Sequence, residues 1–184
     1  LRVRKIVQHY VLVAANSGLR VGEQRQLRWK DVQLERHSAN GTEQTLARIH
    51  VRAEKSKVRT SRTFLCHNGQ YFERLCEITK PKSSDELIFT ANSEGERSKR
   101  TLLYHWHKII ELADIADREL RDLVPYRLRH FMITQRIMSG LTFKQIADMC
   151  RTSVALIEKM YYHLNDAIRL TNAVADYRRN ADAL

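Results

Sequence analysis

The stretch Arg151 to Leu164, RTSVALIEKMYYHL, follows an amphipathic helical pattern that closes in two tyrosines, a histidine and a leucine. A tyrosine so placed, Tyr161 with Tyr162 as its neighbour and rival, looks like a nucleophile carrier, and a phosphodiester is the electrophile it suits. A phenol has an ordinary pKa of about 10, so attack at neutral pH needs a base or nearby positive charge. The chain is rich in such charge: 32 Lys and Arg against 21 Asp and Glu give +11 and a pI near 9.9. That excess favours a polyanionic partner, nucleic acid or an anionic surface, and reports association rather than fold. Two more segments carry arginines in distinctive settings: SGLRVGE at Ser17 to Glu23 and YRLRH at Tyr126 to His130. Phosphoryl transfer spreads negative charge over non-bridging oxygens, and a guanidinium can donate two parallel hydrogen bonds to them while staying charged. Each residue also has a plainer reading. Arg20 suits a surface position near a helix start, Arg129 suits a basic helix face, and Tyr161 shares a helical face with Val154 and Ile157 and so suits packing.

Several chemistries find no support. His105 and His107 are two apart in a helical segment and point to different faces, and no Cys or His pair has metal-ligand spacing. There is no GxxxxGK[ST] loop and no Gly-x-Ser-x-Gly elbow, so no metal, nucleotide or other cofactor is expected. Cys66, Cys76 and Cys150 are scattered and odd in number, which reads as reduced thiols inside a cell. No apolar run approaches the ~20 residues a bilayer requires and no signal-peptide pattern opens the chain, so no membrane partner is expected and the cytoplasm or bacterial nucleoid is the expected location.

The length, 184 residues, suits one domain with a real core. Apolar residues at Val3, Ile6, Val7, Tyr10, Val11 and Ala14 predict a first helix ended by Asn16-Ser17-Gly18. A helical pattern beginning this near Leu1 suggests a fragment whose parent has a domain upstream. Val21 to Trp29 predicts a short helix. Alternation then takes over at Val32 and Leu34, at Leu46, Ile49 and Val51, and at Thr63 to Leu65. These read as three antiparallel strands, with Asn40-Gly41 turning between the first two. The basic stretch Lys55 to Arg62, KSKVRTSR, is too polar for a core strand and forms the second turn. Helices are expected over Tyr71 to Ile78, Leu102 to Ala113, Tyr126 to Met138, Phe143 to Met149, Val154 to Tyr162 and Ala167 to Tyr177. The fold class is therefore α+β: one mainly α-helical domain with a small three-stranded antiparallel sheet near its start.

SGLRVGE, YRLRH and TSVALIEKMYYHL, taken together in order and spacing, resemble the catalytic domain of the tyrosine recombinase, or phage integrase, family. That family carries Gly-Leu-Arg-x-x-Glu, then His-x-x-Arg-His over a hundred residues on, then Tyr-x-His, with a strand, basic hairpin and strand between the first two. The resemblance covers essentially the whole chain. It implies that Arg20 and Arg129 hold the scissile phosphate and that Tyr161 is the nucleophile, giving a covalent 3′-phosphotyrosine without metal or nucleotide. It also implies a general-acid lysine at the hairpin tip. Lys57, five residues before Arg62, fits that role by spacing, with Lys55 left open. A lysine buried beside arginines has a lowered pKa and is a better acid at neutral pH. Two positions depart from the pattern: Tyr126 stands where the family usually has histidine, and Thr152 stands where a histidine or tryptophan precedes the nucleophile by nine residues. Both hydroxyls can donate to phosphate, although tyrosine is a weaker base than histidine near neutral pH. His130 and Glu23 fit supporting positions.

The implied protein is a site-specific DNA recombinase, an integrase of a phage or genomic island. Its implied partners are double-stranded DNA with attachment sites, a homo-tetramer assembled on that DNA, and an accessory DNA-bending protein. The implied parent has an N-terminal core-binding domain, and Asp166 to Leu184 would dock on a neighbouring protomer or pack on its own domain. Two alternatives stay open: a DNA-binding relative that has lost turnover, and a relaxing enzyme resembling type IB topoisomerases.

Overall fold

The structure, a computed structural model, describes residues 2–39, 41–53, 60–90, 98–115 and 117–161, together with Leu170, Ala173 and Val174. The chain divides into two compact units, Leu1–Met132 and Ile133–Leu184.

In the first unit, α1 (Arg2–Ser17) buries Ile6, Val7, Tyr10 and Ala14 of the expected stripe, adds Val13, leaves Val3 and Val11 half-buried, and packs on α3 (Gln70–Thr79) and α4 (Ser98–Leu112). Gly18, at φ 63°, ends the helix, and its N–H returns to the Ala14 carbonyl at 3.2 Å. The helix expected over Val21 to Trp29 is shorter. α2 covers Val21–Arg25 and a 3-10 turn covers Trp29–Asp31. The stretch between them pairs across the chain instead: Ile88 N–H donates to the Leu27 carbonyl at 3.0 Å and Trp29 N–H to the Glu86 carbonyl at 3.2 Å. Burial of Leu27 and Ile88 rewards that pairing more than another helical turn would.

The sheet is a meander of β1 (Val32–Ala39), β2 (Thr42–Val51) and β3 (Arg62–Cys66), antiparallel throughout. Ala39 pairs with Thr42 and Gly41 takes φ 74°, where the first turn is expected, while Asn40 lies outside the described residues. The buried face belongs to Ala47, Ile49 and Val51 opposite Cys66, Phe64 and Arg62. Side chains alternate with period two, so Leu46 cannot share a face with Ile49, and Leu65 is turned away from Phe64. Leu34, opposite Ala47 on the edge strand, is 41% exposed.

The second unit contains the last residues of α5 (Arg127–Met138), then α6 (Phe143–Cys150) and α7 (Val154–Tyr161), the last two packed together. Thr142 caps α6: its hydroxyl accepts from Gln145 N–H while the Gln145 side chain accepts from Thr142 N–H. Arg151, at φ 47°, ends it. Ile146, Ala147, Cys150, Ile157 and Tyr161 are buried. Among the described residues no helix is long and apolar enough to cross a membrane.

Candidate active site

Arg20 follows the turn that ends α1, and its extended backbone (φ −67°, ψ 148°) starts α2. Glu23, three residues on, is 3% exposed and folds back on that start: Arg20 N–H donates to Glu23 Oε2 at 3.0 Å and Arg20 Nη1 to Glu23 Oε1 at 3.0 Å. A glutamate at this place satisfies an orphan helix donor and also fixes the arginine's direction. The same carboxylate receives a second guanidinium from β3. Arg62 donates Nη1 to Oε1 at 3.0 Å and Nη2 to Oε2 at 2.7 Å, a bidentate fork, while lying 5.5 Å from the Phe64 ring centroid. Burial alone would raise the Glu23 pKa; the Arg62 side-chain hydrogen bonds, the Arg20 backbone N–H and both guanidinium charges hold it below the ordinary carboxylate value.

Arg129 comes from the first turn of α5 and is 4% exposed. Its Nη1 donates to the carbonyl of Gly18 at 2.5 Å, two residues before Arg20. Leu19 N–H meanwhile donates to Ser17 Oγ at 3.3 Å, which keeps the turn in shape. Arg129 is thus tied to the turn of backbone that leads into Arg20. A further tie braces the turn: Asn68 Nδ2 donates to Asn16 Oδ1 at 2.7 Å, joining the end of α1 to a residue two positions before α3.

Tyr126 lies in the turn just before α5, which begins at Arg127 rather than at Tyr126 as expected; it is 43% exposed. Its ring meets His130 edge-on, centroids 5.2 Å apart. Burial, then the charges of Arg127 and Arg129, push the His130 pKa below its ordinary value, so the imidazole is neutral at neutral pH.

In the second unit, Thr152 N–H donates to the Ala147 carbonyl at 3.0 Å and Ser153 Oγ accepts from Leu156 N–H at 3.1 Å, which fixes the start of α7. Tyr161 ends α7 one turn after Ile157 and is 6% exposed, so the packed reading of this side chain describes its place here. Lys55, Lys57, Tyr162, His163 and most of the predicted terminal helix lie outside the described residues. Arg62 and the Gly18 carbonyl escaped the sequence reading as parts of the site. Arg62 entered it only as a spacing mark for Lys57, and a backbone carbonyl leaves no signal in residue type. Among the described residues no cluster of His, Cys, Asp and Glu could hold a metal.

The sequence profile of the phage integrase family matches residues 4–167. The chain belongs to the phage integrase family of tyrosine recombinases. Its fold is shared with XerH site-specific recombinase bound to palindromic difH substrate in a post-cleavage complex, at TM-score 0.67 and 19% identity over 95% of this chain and 47% of that one. XerH in a pre-cleavage complex with difH substrate gives 0.65 and 22% identity, covering 96% of this chain and 47% of that one. XerA recombinase gives 0.57 and 20% identity, covering 96% and 62%. The chain therefore spans less than two thirds of each of these proteins. No curated protein matches it by sequence.

Proposed function

We propose that this chain is the catalytic part of a site-specific DNA recombinase, an integrase serving a phage or genomic island, that cleaves and rejoins double-stranded DNA through a 3′-phosphotyrosine at Tyr161. The observation that carries the proposal is the bond from Arg129 to the Gly18 carbonyl, which ties it to the backbone leading into Arg20, with Glu23 holding Arg20 and Arg62 holding Glu23. Two such guanidiniums suit a phosphodiester, whose charge they stabilise most when the phosphorus becomes five-coordinate. Tyr126 and Thr152 would add hydroxyl donors to its oxygens. The Tyr161 oxygen would attack phosphorus, its proton passing to solvent, while the bond to the 5′ oxygen breaks and Lys57 protonates that oxygen. The phosphotyrosine keeps the bond energy, so a second 5′ hydroxyl can reverse the step on another strand without an added cofactor. Tyr161 is 6% exposed, so the proposed attack would require its phenol to become accessible to DNA. The full protein would act as a tetramer on paired attachment sites in the bacterial nucleoid, aided by a DNA-bending protein.

Duplexes tiled across the boundaries of the host element, with a 5′-bridging phosphorothiolate at each candidate cleavage point, test the reading, because that leaving group needs no acid. A denaturation-resistant adduct mapped to Tyr161, lost in Tyr161→Phe with DNA affinity retained, is expected. The burial of Tyr161 favours a second reading, a DNA-binding relative without turnover; tight binding with no adduct at any tyrosine would select it.

A further inference from the structure

Glu23 is a buried carboxylate shared by two arginines, and the sharing is unequal. Arg62 covers both oxygens with a fork at 3.0 and 2.7 Å, whereas Arg20 meets Oε1 through Nη1 and Oε2 through its backbone N–H. The side chains of Glu23 and Arg62 are 2% and 6% exposed and that of Arg20 is 21% exposed. A buried carboxylate needs a counter-ion, and the one that holds it by two parallel bonds is the strongest. We propose that Arg62 is a positioning residue: as the principal counter-ion of Glu23, it prevents the buried carboxylate from drawing Arg20 into a fork and leaves Arg20 directed at the scissile phosphate. This rests on the function proposed above and gives a role to an arginine that would not itself touch DNA.

Without Arg62, Glu23 would have Arg20 as its nearest cation. A guanidinium locked bidentately on a carboxylate presents fewer donors to phosphate, and the binding site for the non-bridging oxygens would be displaced toward α2. Removing the carboxylate charge at the same time would release Arg20 again. The defect would lie in phosphate engagement and not in leaving-group protonation, which separates it from any effect on the lysine-bearing hairpin.

The test is single-turnover cleavage by the complete protein at saturating DNA, on matched phosphodiester and 5′-bridging phosphorothiolate duplexes. Arg62→Met should slow both substrates alike, by a factor on the order of 100, the scale of an ångström misplacement. Arg62→Met with Glu23→Gln should recover at least about tenfold of that loss on both, as expected when the competing charge is gone. Should Arg62→Met alone not fold, Arg62→Lys, which keeps charge but not the fork, should show an equal and smaller loss on the two duplexes. An unchanged rate would overturn the proposal and leave the pair purely structural. A loss confined to the phosphodiester would overturn it in favour of the acid, and no recovery in the double variant would overturn the counter-ion argument. Absence of any adduct from the unmodified protein would instead refute the recombinase reading, and the role of Arg62 with it.

Discussion

At the scale of single residues, the site depends on charges that are held rather than displayed. Glu23→Gln removes one member of a buried ion pair, which typically costs about 3–5 kcal/mol and is readable as a lower urea midpoint. The folded-state pKa of Glu23 lies below its ordinary value, so its contribution is complete above that ordinary value, about 4.3, and fades as pH falls through the lowered one. Thermal melts between pH 7 and 3 should therefore show the gap between wild type and Glu23→Gln closing toward acid, and a constant gap would contradict this. His130 has the same sign for a different cause. Burial and the Arg127 and Arg129 charges favour its neutral form, so its contribution is present above about pH 6.5 and lost as pH falls toward the lowered folded value. In His130→Asn, stability should change less between pH 7.5 and 5.5 than in wild type, as followed by urea midpoints.

At the scale of elements, the order of helices and strands was legible in the sequence because period and breakers agree. The α1 stripe repeats at helical spacing, and Asn40-Gly41 in the sequence marks the turn between the first two strands. What the sequence concealed depends on partners far along the chain. Apolar spacing marks the strands that carry Leu34, Leu46 and Leu65 but not their buried face, which pairing register gives to Ala47, Ile49, Phe64 and Cys66. Likewise α2 stops early because residues 86–88, sixty positions away, offer its next residues a strand partner. The motifs exposed Arg20, Arg129 and Tyr161 as candidates, but the fork from Arg62 and the Gly18 carbonyl became visible only in three dimensions. Close approach leaves a similar mark at Gly69, which precedes α3. A Cβ there would lie 2.8 Å from the Leu46 carbonyl carbon and oxygen and 2.9 Å from Thr45 Cγ2. Gly69→Ala should therefore cost about 1–3 kcal/mol. Gly22, inside α2 with nothing within 4 Å of an added Cβ, is the control, and Gly22→Ala should be neutral or stabilise by up to about 1 kcal/mol in the same denaturant series.

At the scale of the whole molecule, a charge of +11 should make binding to duplex DNA steeply salt-dependent. Each neutralised phosphate adds a slope of about −0.9 in log affinity against log salt, so Arg20→Ala should flatten the plot by about one unit without changing which sequences are preferred. A flat salt response in wild type would count against DNA as the partner. The bond from Arg129 to Gly18 closes a loop of 111 residues. Contacts that distant are assembled late, because the entropy of closing the intervening chain has to be overcome before the bond rewards it. During synthesis on the ribosome, Gly18 and Arg20 emerge long before the segment that carries Arg129 exists. A nascent chain that has not yet reached Arg129 lacks the tie to Gly18, so the order of biosynthesis itself withholds the pairing of these two segments until the later one has been made.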